Sequence, residues 1–407
     1  MSSSTSVYEI ESPAASLRNR DLLCFSHDWN GDPLSKTHLM RLLSRHNRVL
    51  WVNSIGYRTP NMSRADARRA INKLWAARQP LREVEPNLFV LSPLVIPLHH
   101  HPLAQALNRR LLRWQVKQAM RTLEFQRPIN WVFNPAAAIV AGELGEDKLI
   151  YYCVDEYIAF SGVVSDSLAK LESQLLRRAD LALFSSERLC DAKGPAARRS
   201  HLIRHGVDYE NFRRALDAGL SIPDDVAGLP GPILGYFGLM SSDWIDLDLL
   251  VRVAEHFATG SLVLIGKVEM DVSRLAHLPN VHFLGRKPFE SLPAYCQAFD
   301  VGLIPFPISE VTLNANPLKA REYLAAGLPV VSTAIPEVEY LNQCRTAEDH
   351  GQFVREIEAA LADPTPRSER SESMREHSWD NRLDDICSHL VPLLDDDCDL
   401  IDMSGSQ

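Results

Sequence analysis

Asn314-Ala315-Asn316-Pro317-Leu318-Lys319-Ala320-Arg321-Glu322-Tyr323-Leu324-Ala325-Ala326-Gly327-Leu328-Pro329-Val330-Val331 reads as one helix and the strand it feeds. Asn316 is a good N-cap and Pro317 suits the first helical position. Gly327 followed by Pro329 ends the helix and delivers the chain into Val330-Val331. A helix start offers free backbone N–H groups and a positive dipole end, which together make a natural pyrophosphate site. Lys319 adds a cation in the first turn. Glu322, one turn further on, would lie near the ribose of a nucleotide whose phosphates occupied the helix start, and a carboxylate there can accept both hydroxyls.

Working outward, the same alternation of β-rich apolar runs and longer amphipathic stretches fills the chain, and it is the signature of parallel sheets covered by crossover helices. In the first half the strand runs are 21–25, 49–52, 88–91, 130–133, 149–152 and 181–184. In the second they are 233–237, 262–265, 282–284, 301–304 and 330–332. Leu168, Leu171, Leu175 and Leu176 recur at helical spacing between two of these runs. Two such series in 407 residues predict an α/β protein of two Rossmann-like, doubly wound domains facing across a cleft, with ligands at the carboxyl ends of the strands. The expected division is a flexible tail at 1–18, an acceptor-side domain at 19–205, a donor-side domain at 206–375, a helix at 376–394 and a disordered acidic tail at 395–407. The hinge is expected where Pro and Gly cluster, between Gly206 and Pro230.

Composition narrows the class. Hydrophobic residues at 45% and charged residues at 23% suit a globular core, and a net charge of -9 argues against general nucleic-acid binding. The seven cysteines form no C-x-x-C pair, so neither a structural metal nor disulfides are expected. No apolar run reaches the roughly 20 residues of a membrane span, and the Ser-rich start lacks the pattern of a signal peptide, which predicts a cytoplasmic protein. Charge is uneven, with thirteen basic against four acidic residues from Arg58 to Arg127. Trp75, Leu111, Leu112 and Trp114 lie among those basic residues, a composition that suits either a solvated helix face or a helix lying on anionic lipid at the inner face of the cell membrane.

The pattern P-x-K-x-x-E-Y-L-A-x-G-x-P-V-V resembles the donor-binding helix of GT-B glycosyltransferases of the group 1 kind. The likeness extends over Ile233-Leu234-Gly235-Tyr236-Phe237-Gly238, Leu264-Ile265-Gly266, Asn280 to Arg286, and Phe299 to Phe306, in the family's order. It implies a nucleotide-sugar donor held by Gly238, Lys267, Arg286, Asn316, Pro317, Leu318, Lys319 and Glu322, a glycan or lipid-linked acceptor, and no metal or cofactor beyond the donor. Asn314 stands where the family often has a second Glu, and the usual Arg and Lys after the glycine turn are replaced by Leu239 to Trp244.

The first half resembles, more loosely, bacterial exopolysaccharide glucuronosyltransferases, in which an Asp after the matching strand takes the acceptor proton. That likeness implies Asp155 as general base. The loop after the first strand, from Asp28 through Lys36 and His38, would approach the acceptor or the leaving phosphate, which makes His38 a second catalytic candidate and places Asp28, Trp29 and Lys36 on the acceptor side. Asp155 beside Glu156 also reads as an ordinary strand-end carboxylate pair, and His38 as a histidine packed on a helix face. His99, His100 and His101 read as loop residues. The function expected is transfer of a hexose or uronic acid to a polysaccharide or lipid-linked acceptor. The alternatives are a nucleotide-sugar epimerase on the same fold and an inactive partner of another transferase.

Overall fold

The computed structural model describes residues 13–55, 81–96, 102–163 and 165–402, with side-chain environments up to 394. Two sheets carry the fold. The first has eight strands: β1 (Asp21–Phe25), β2 (Arg48–Val52), β3 (Leu81–Glu85), β4 (Leu88–Leu91), β5 (Ile129–Val132), β6 (Leu149–Cys153), β7 (Leu181–Phe184) and β8 (Ser200–Leu202). Their order is β3-β4-β2-β1-β5-β6-β7-β8, and every pairing except β3 with β4 is parallel. The second sheet is wholly parallel, in the order β11-β10-β9-β12-β13-β14, from β9 (Ile233–Phe237), β10 (Ser261–Ile265), β11 (Val281–Gly285), β12 (Val301–Ile304), β13 (Val330–Thr333) and β14 (Cys344–Ala347).

Both orders reverse direction once, between β1 and β5 in the first sheet and between β9 and β12 in the second. A crevice opens at the carboxyl ends of the strands at such a point, because the flanking helices leave on opposite faces. Strands β5, β6, β12 and β13 are buried along their whole length, as parallel strands covered on both faces must be.

Three strands fall outside the sequence expectation. β3 carries Arg82, Glu83 and Glu85 on a partly exposed edge, β8 has three residues, and β14 is a half-buried edge strand containing Arg345. Polar edges and short strands leave no apolar run to read.

The ends of the chain depart further. The expected tail at 1–18 is structured from Pro13, where Pro13–Ser16 forms a short 3₁₀ turn, the backbone N–H of Ala14 donates to Asp384 Oδ1 (3.1 Å) and Leu17 enters the core. The final helix runs Trp379–Asp402, past the expected end at 394, and its Trp379, Leu383, Ile386, Cys387 and Leu390 complete the core of the first domain. The chain therefore crosses between domains twice, and the crossings lie together: Val207 N–H donates to His377 O (2.9 Å) and Trp379 N–H to Val207 O (3.2 Å). This paired crossing lies at the start of the stretch 206–230. Trp75, the basic residues from Arg58 to Arg78 and His99 to His101 lie outside the described residues.

Candidate active site

The donor-side crevice forms where β9 gives way to Gly238. Gly238 has φ +139, and a Cβ there would meet Lys319 Cε at 2.5 Å and Nζ at 2.7 Å. Glycine thus admits the ammonium against the loop backbone. Lys319 Nζ stands 5.4 Å from the centre of the Tyr236 ring and 5.7 Å from that of Phe306, a cationic position over aromatic faces. Burial lowers its pKa, while Glu322 and Asp32 oppose the shift. Glu322 is buried, and burial pushes its carboxyl up to about 7 against the pull of Lys319. None of the described residues donates a hydrogen bond to that carboxylate.

The helix bearing both residues is Leu318–Ala325, seated by Tyr323. The Tyr323 hydroxyl accepts from Phe237 N–H (3.1 Å), and its ring covers Gly302, where a Cβ would meet Cγ at 2.5 Å. Gly327, at φ +78, ends the helix as its sequence implies.

The helix start corrects the sequence reading. Pro317 occupies the cap position and the helix begins at Leu318, while Asn316 does not cap it. Asn316 is buried at the boundary between domains, where Nδ2 donates to Ser185 O (2.6 Å) and Glu337 Oε2 (3.1 Å) and Oδ1 accepts from Arg321 Nη1 (2.5 Å). These partners take the side chain away from the helix N–H groups, and Ser185, 131 residues away, belongs to the other domain. Leu318 packs against the core of the first domain. Asn314 turns its Nδ2 to Glu310 O (2.7 Å), and its own carbonyl accepts from Ser186 Oγ (2.8 Å). Lys267 is not brought into the cluster, because its ammonium is exposed and paired with Glu269.

Across the cleft, the loop after β1 is pinned by Trp29. Its N–H donates to Asn53 Oδ1 (2.9 Å), and its ring meets Trp51 edge-on at 5.0 Å with Arg41 over it at 5.3 Å. Asp28 Oδ1 accepts from Ser54 N–H (3.1 Å), so this carboxylate serves the loop after β2. Asp32 reaches the other domain, meeting Arg286 at Nη2 (2.6 Å) and Nε (2.7 Å). Ser161 Oγ donates to Asp243 Oδ1 (2.6 Å) along the same cleft.

Asp155 follows β6. Burial raises its carboxyl to about 6, while Lys36 and Lys193 pull it down and Glu156 pushes it up. Lys36 is buried in the first turn of the helix Ser35–Ser44, with its own pKa lowered by burial and supported by Asp155 and Cys24. The neighbouring Glu156 has a different task, since it accepts from Lys193 Nζ (2.9 Å), which also binds both oxygens of Glu172 (2.9 Å each), itself bonded by the Tyr151 hydroxyl. Of the adjacent carboxylates, Glu156 is tied to Lys193, while Asp155 feels the charges of Lys36 and Lys193.

His38 has aromatic neighbours on both sides. Its ring stacks on Trp379 (5.6 Å between centres, 8° between planes) and meets Phe289 of the other domain at 5.2 Å. Burial lowers its pKa to about 4, so it is neutral at pH 7 and acts there as packing between domains. Sequence reasoning missed Asp32, Lys193 and Arg321. Only Asp32 carried a signal, lying between Trp29 and Lys36 in the loop after the first strand.

Two doubly wound domains whose ligand crevices face each other have the GT-B architecture, and the sequence comparisons support a glycosyltransferase that uses a nucleotide-sugar donor. Residues 231–363, within the donor-side half, match the family described as glycosyl transferases group 1. A Bacillus subtilis protein named as a teichuronic acid biosynthesis glycosyltransferase, TuaH, is 28% identical over 275 residues, 61% of this chain and 68% of its own. Among solved structures, sucrose-phosphate synthase from Thermosynechococcus elongatus superposes with a TM-score of 0.67 at 17% identity, covering 92% of this chain and 99% of its own. An E. coli trehalose-6-phosphate structure bound with UDP-2-fluoro glucose gives 0.63 at 12% identity, covering 92% and 99%. These structural likenesses define the fold.

Proposed function

We propose that the chain transfers a hexose or uronic acid from a nucleoside diphosphate sugar to a hydroxyl of a glycan or lipid-linked acceptor. The observation that carries this reading is the cluster of Gly238, Lys319 and Glu322 at the switch point of the second sheet, facing Asp155 and Lys36 at that of the first. Diphosphate would lie against the Gly238 turn and the start of Leu318–Ala325, its charge met by helix N–H groups, Lys319 and Arg286, and ribose hydroxyls would donate to Glu322. The acceptor oxygen attacks the anomeric carbon as the bond to the diphosphate breaks. The nucleoside diphosphate leaves with the electron pair, and the acceptor proton passes to Asp155. Asp32 holds Arg286 across the cleft, so an incoming diphosphate competes with that carboxylate. The reaction needs no cofactor beyond the donor.

Titration with UDP, GDP and ADP tests the donor site. Uridine is the first base to try, because solved neighbours are described with UDP. One diphosphate is expected to bind selectively, and Lys319→Ala should weaken it about tenfold or more, the scale of one charge-assisted contact. Equal, weak binding of all three by wild type and variant would overturn the reading.

A lipid-linked acceptor implies access to the membrane surface. Among the described residues no helix is long and apolar enough to cross a membrane. The helix Pro102–Thr122, however, carries Leu103, Leu107, Arg110, Trp114, Lys117 and Arg121 at helical spacing on one face, with Leu103 76%, Leu107 52% and Trp114 63% exposed. Apolar anchors interleaved with cations suit anionic headgroups, and we propose that this face rests on the inner membrane leaflet. Flotation with phosphatidylglycerol vesicles is expected to carry the protein up, and Leu107→Glu with Trp114→Glu to abolish that. Equal flotation of the double variant, or none by wild type, would contradict it.

A further inference from the structure

Arg321 stands on the donor helix beside Glu322, and it is wholly buried. Nη1 is satisfied by Asn316 Oδ1, but Nε and Nη2 have no hydrogen-bond partner among the described residues. These two N–H groups form one edge of the planar guanidinium, the fork that converges on a single acceptor.

Among the described residues no carboxylate meets the fork. The acid whose charge supports Arg321 is Glu337, itself buried, and its oxygens are committed to Arg204 Nε (2.8 Å), Asn316 Nδ2 (3.1 Å) and the N–H of Glu187 (2.9 Å). Other positive charge is close by: Arg382 and Arg204 both act on Arg321, and Arg382 also has an unpartnered buried Nε. Arg382 does have a carboxylate, Asp385 at 2.7 Å, but that group is 46% exposed. A buried cation without a direct counter-charge is costly, and the cost falls when an anion enters.

We infer that the Arg321 fork is a binding site for one small inorganic anion of halide size, held where the donor helix meets the first domain. The argument is separate from the donor site, because the fork serves the boundary through Asn316, whose Nδ2 reaches Ser185 O in the other domain. A bound anion would brace the donor helix against that boundary and would be shut off from larger solutes by the burial of Arg321. His205, whose Nδ1 lies 2.9 Å from Asn316 O, donates there and keeps Nε2 as an acceptor, so it does not contribute a ligand.

The test is thermal unfolding of the full chain in chloride against gluconate at constant ionic strength, together with crystals grown in bromide. Each tenfold rise in chloride above its dissociation constant is expected to raise the midpoint by roughly 2–4 °C. Arg321→Met should lose that dependence, while Arg345→Met, on the far edge of the second sheet, should keep it. Bromide should give an anomalous peak in contact with Nε and Nη2. Identical midpoints in chloride and gluconate, an unchanged dependence in Arg321→Met, or no bromide peak would each overturn the site. If Arg321→Met fails to fold, the bromide peak decides alone.

Discussion

Glu322→Gln is expected to melt higher than wild type at pH 8 and yet bind nucleoside diphosphate about ten- to a hundredfold more weakly. The stabilisation follows from linkage. The folded carboxyl titrates near 7 against an ordinary value of 4.5, so the folded state holds the proton more tightly than the unfolded chain. Below about pH 4.5 both states are protonated and the charge costs nothing. Between 4.5 and 7 the cost of keeping a buried carboxylate grows, and above 7 it is present in full. At ~1.4 kcal/mol per pKa unit the ceiling is about 3 kcal/mol, and relaxation around the group brings the expected gain to ~1–3 kcal/mol. Glutamine carries no charge to bury and still fits the space. It loses the charge-assisted hydrogen bonds to ribose, each worth about 1.5–3 kcal/mol. Melting curves of both proteins at pH 5 and pH 8, with and without nucleotide, check the pair of effects. Curves that keep the same separation at both pH values would show that Glu322 is not a strained, ligand-directed carboxylate.

The second large effect is on chemistry alone. Asp155→Asn should lower kcat by about 10²- to 10⁴-fold, the usual worth of a positioned general base, with nucleoside diphosphate affinity within about twofold of wild type. In wild type, kcat/KM should rise with pH through about 6, where Asp155 loses its proton, and then level off. Lys36 holds that carboxyl down, so Lys36→Met should move the inflection to higher pH. A small loss in Asp155→Asn, or an inflection that ignores Lys36, would remove Asp155 from the base role.

These residues differ in how readable they were from sequence. Strands β1, β4, β7, β9 and β12 coincide with their apolar runs because each is buried and bounded by turn residues, so composition and geometry agree. Lys319 and Glu322 were legible for the same local reason, since spacing on one helix places both. Asn316 misled because capping is a local signal, whereas its strongest partners come from the other domain and from Arg321. Asp155 and Glu156 looked alike, and what separates them is Lys193, which lies 37 residues beyond Glu156 and closes on it only when β6 and the following helices fold. The return of the final helix to the first domain was hidden too, because an amphipathic pattern states that a face is buried and leaves its partner unnamed.

The central claim is that donor diphosphate lies between the Gly238 turn and the start of the Lys319–Glu322 helix. A crystal structure of the full chain with its preferred nucleoside diphosphate tests it most directly. The account predicts diphosphate oxygens within hydrogen-bond reach of Lys319 Nζ and the Gly238 turn, with both ribose hydroxyls on Glu322; nucleotide bound at the strand ends of the first domain, with Glu322 untouched, would contradict it.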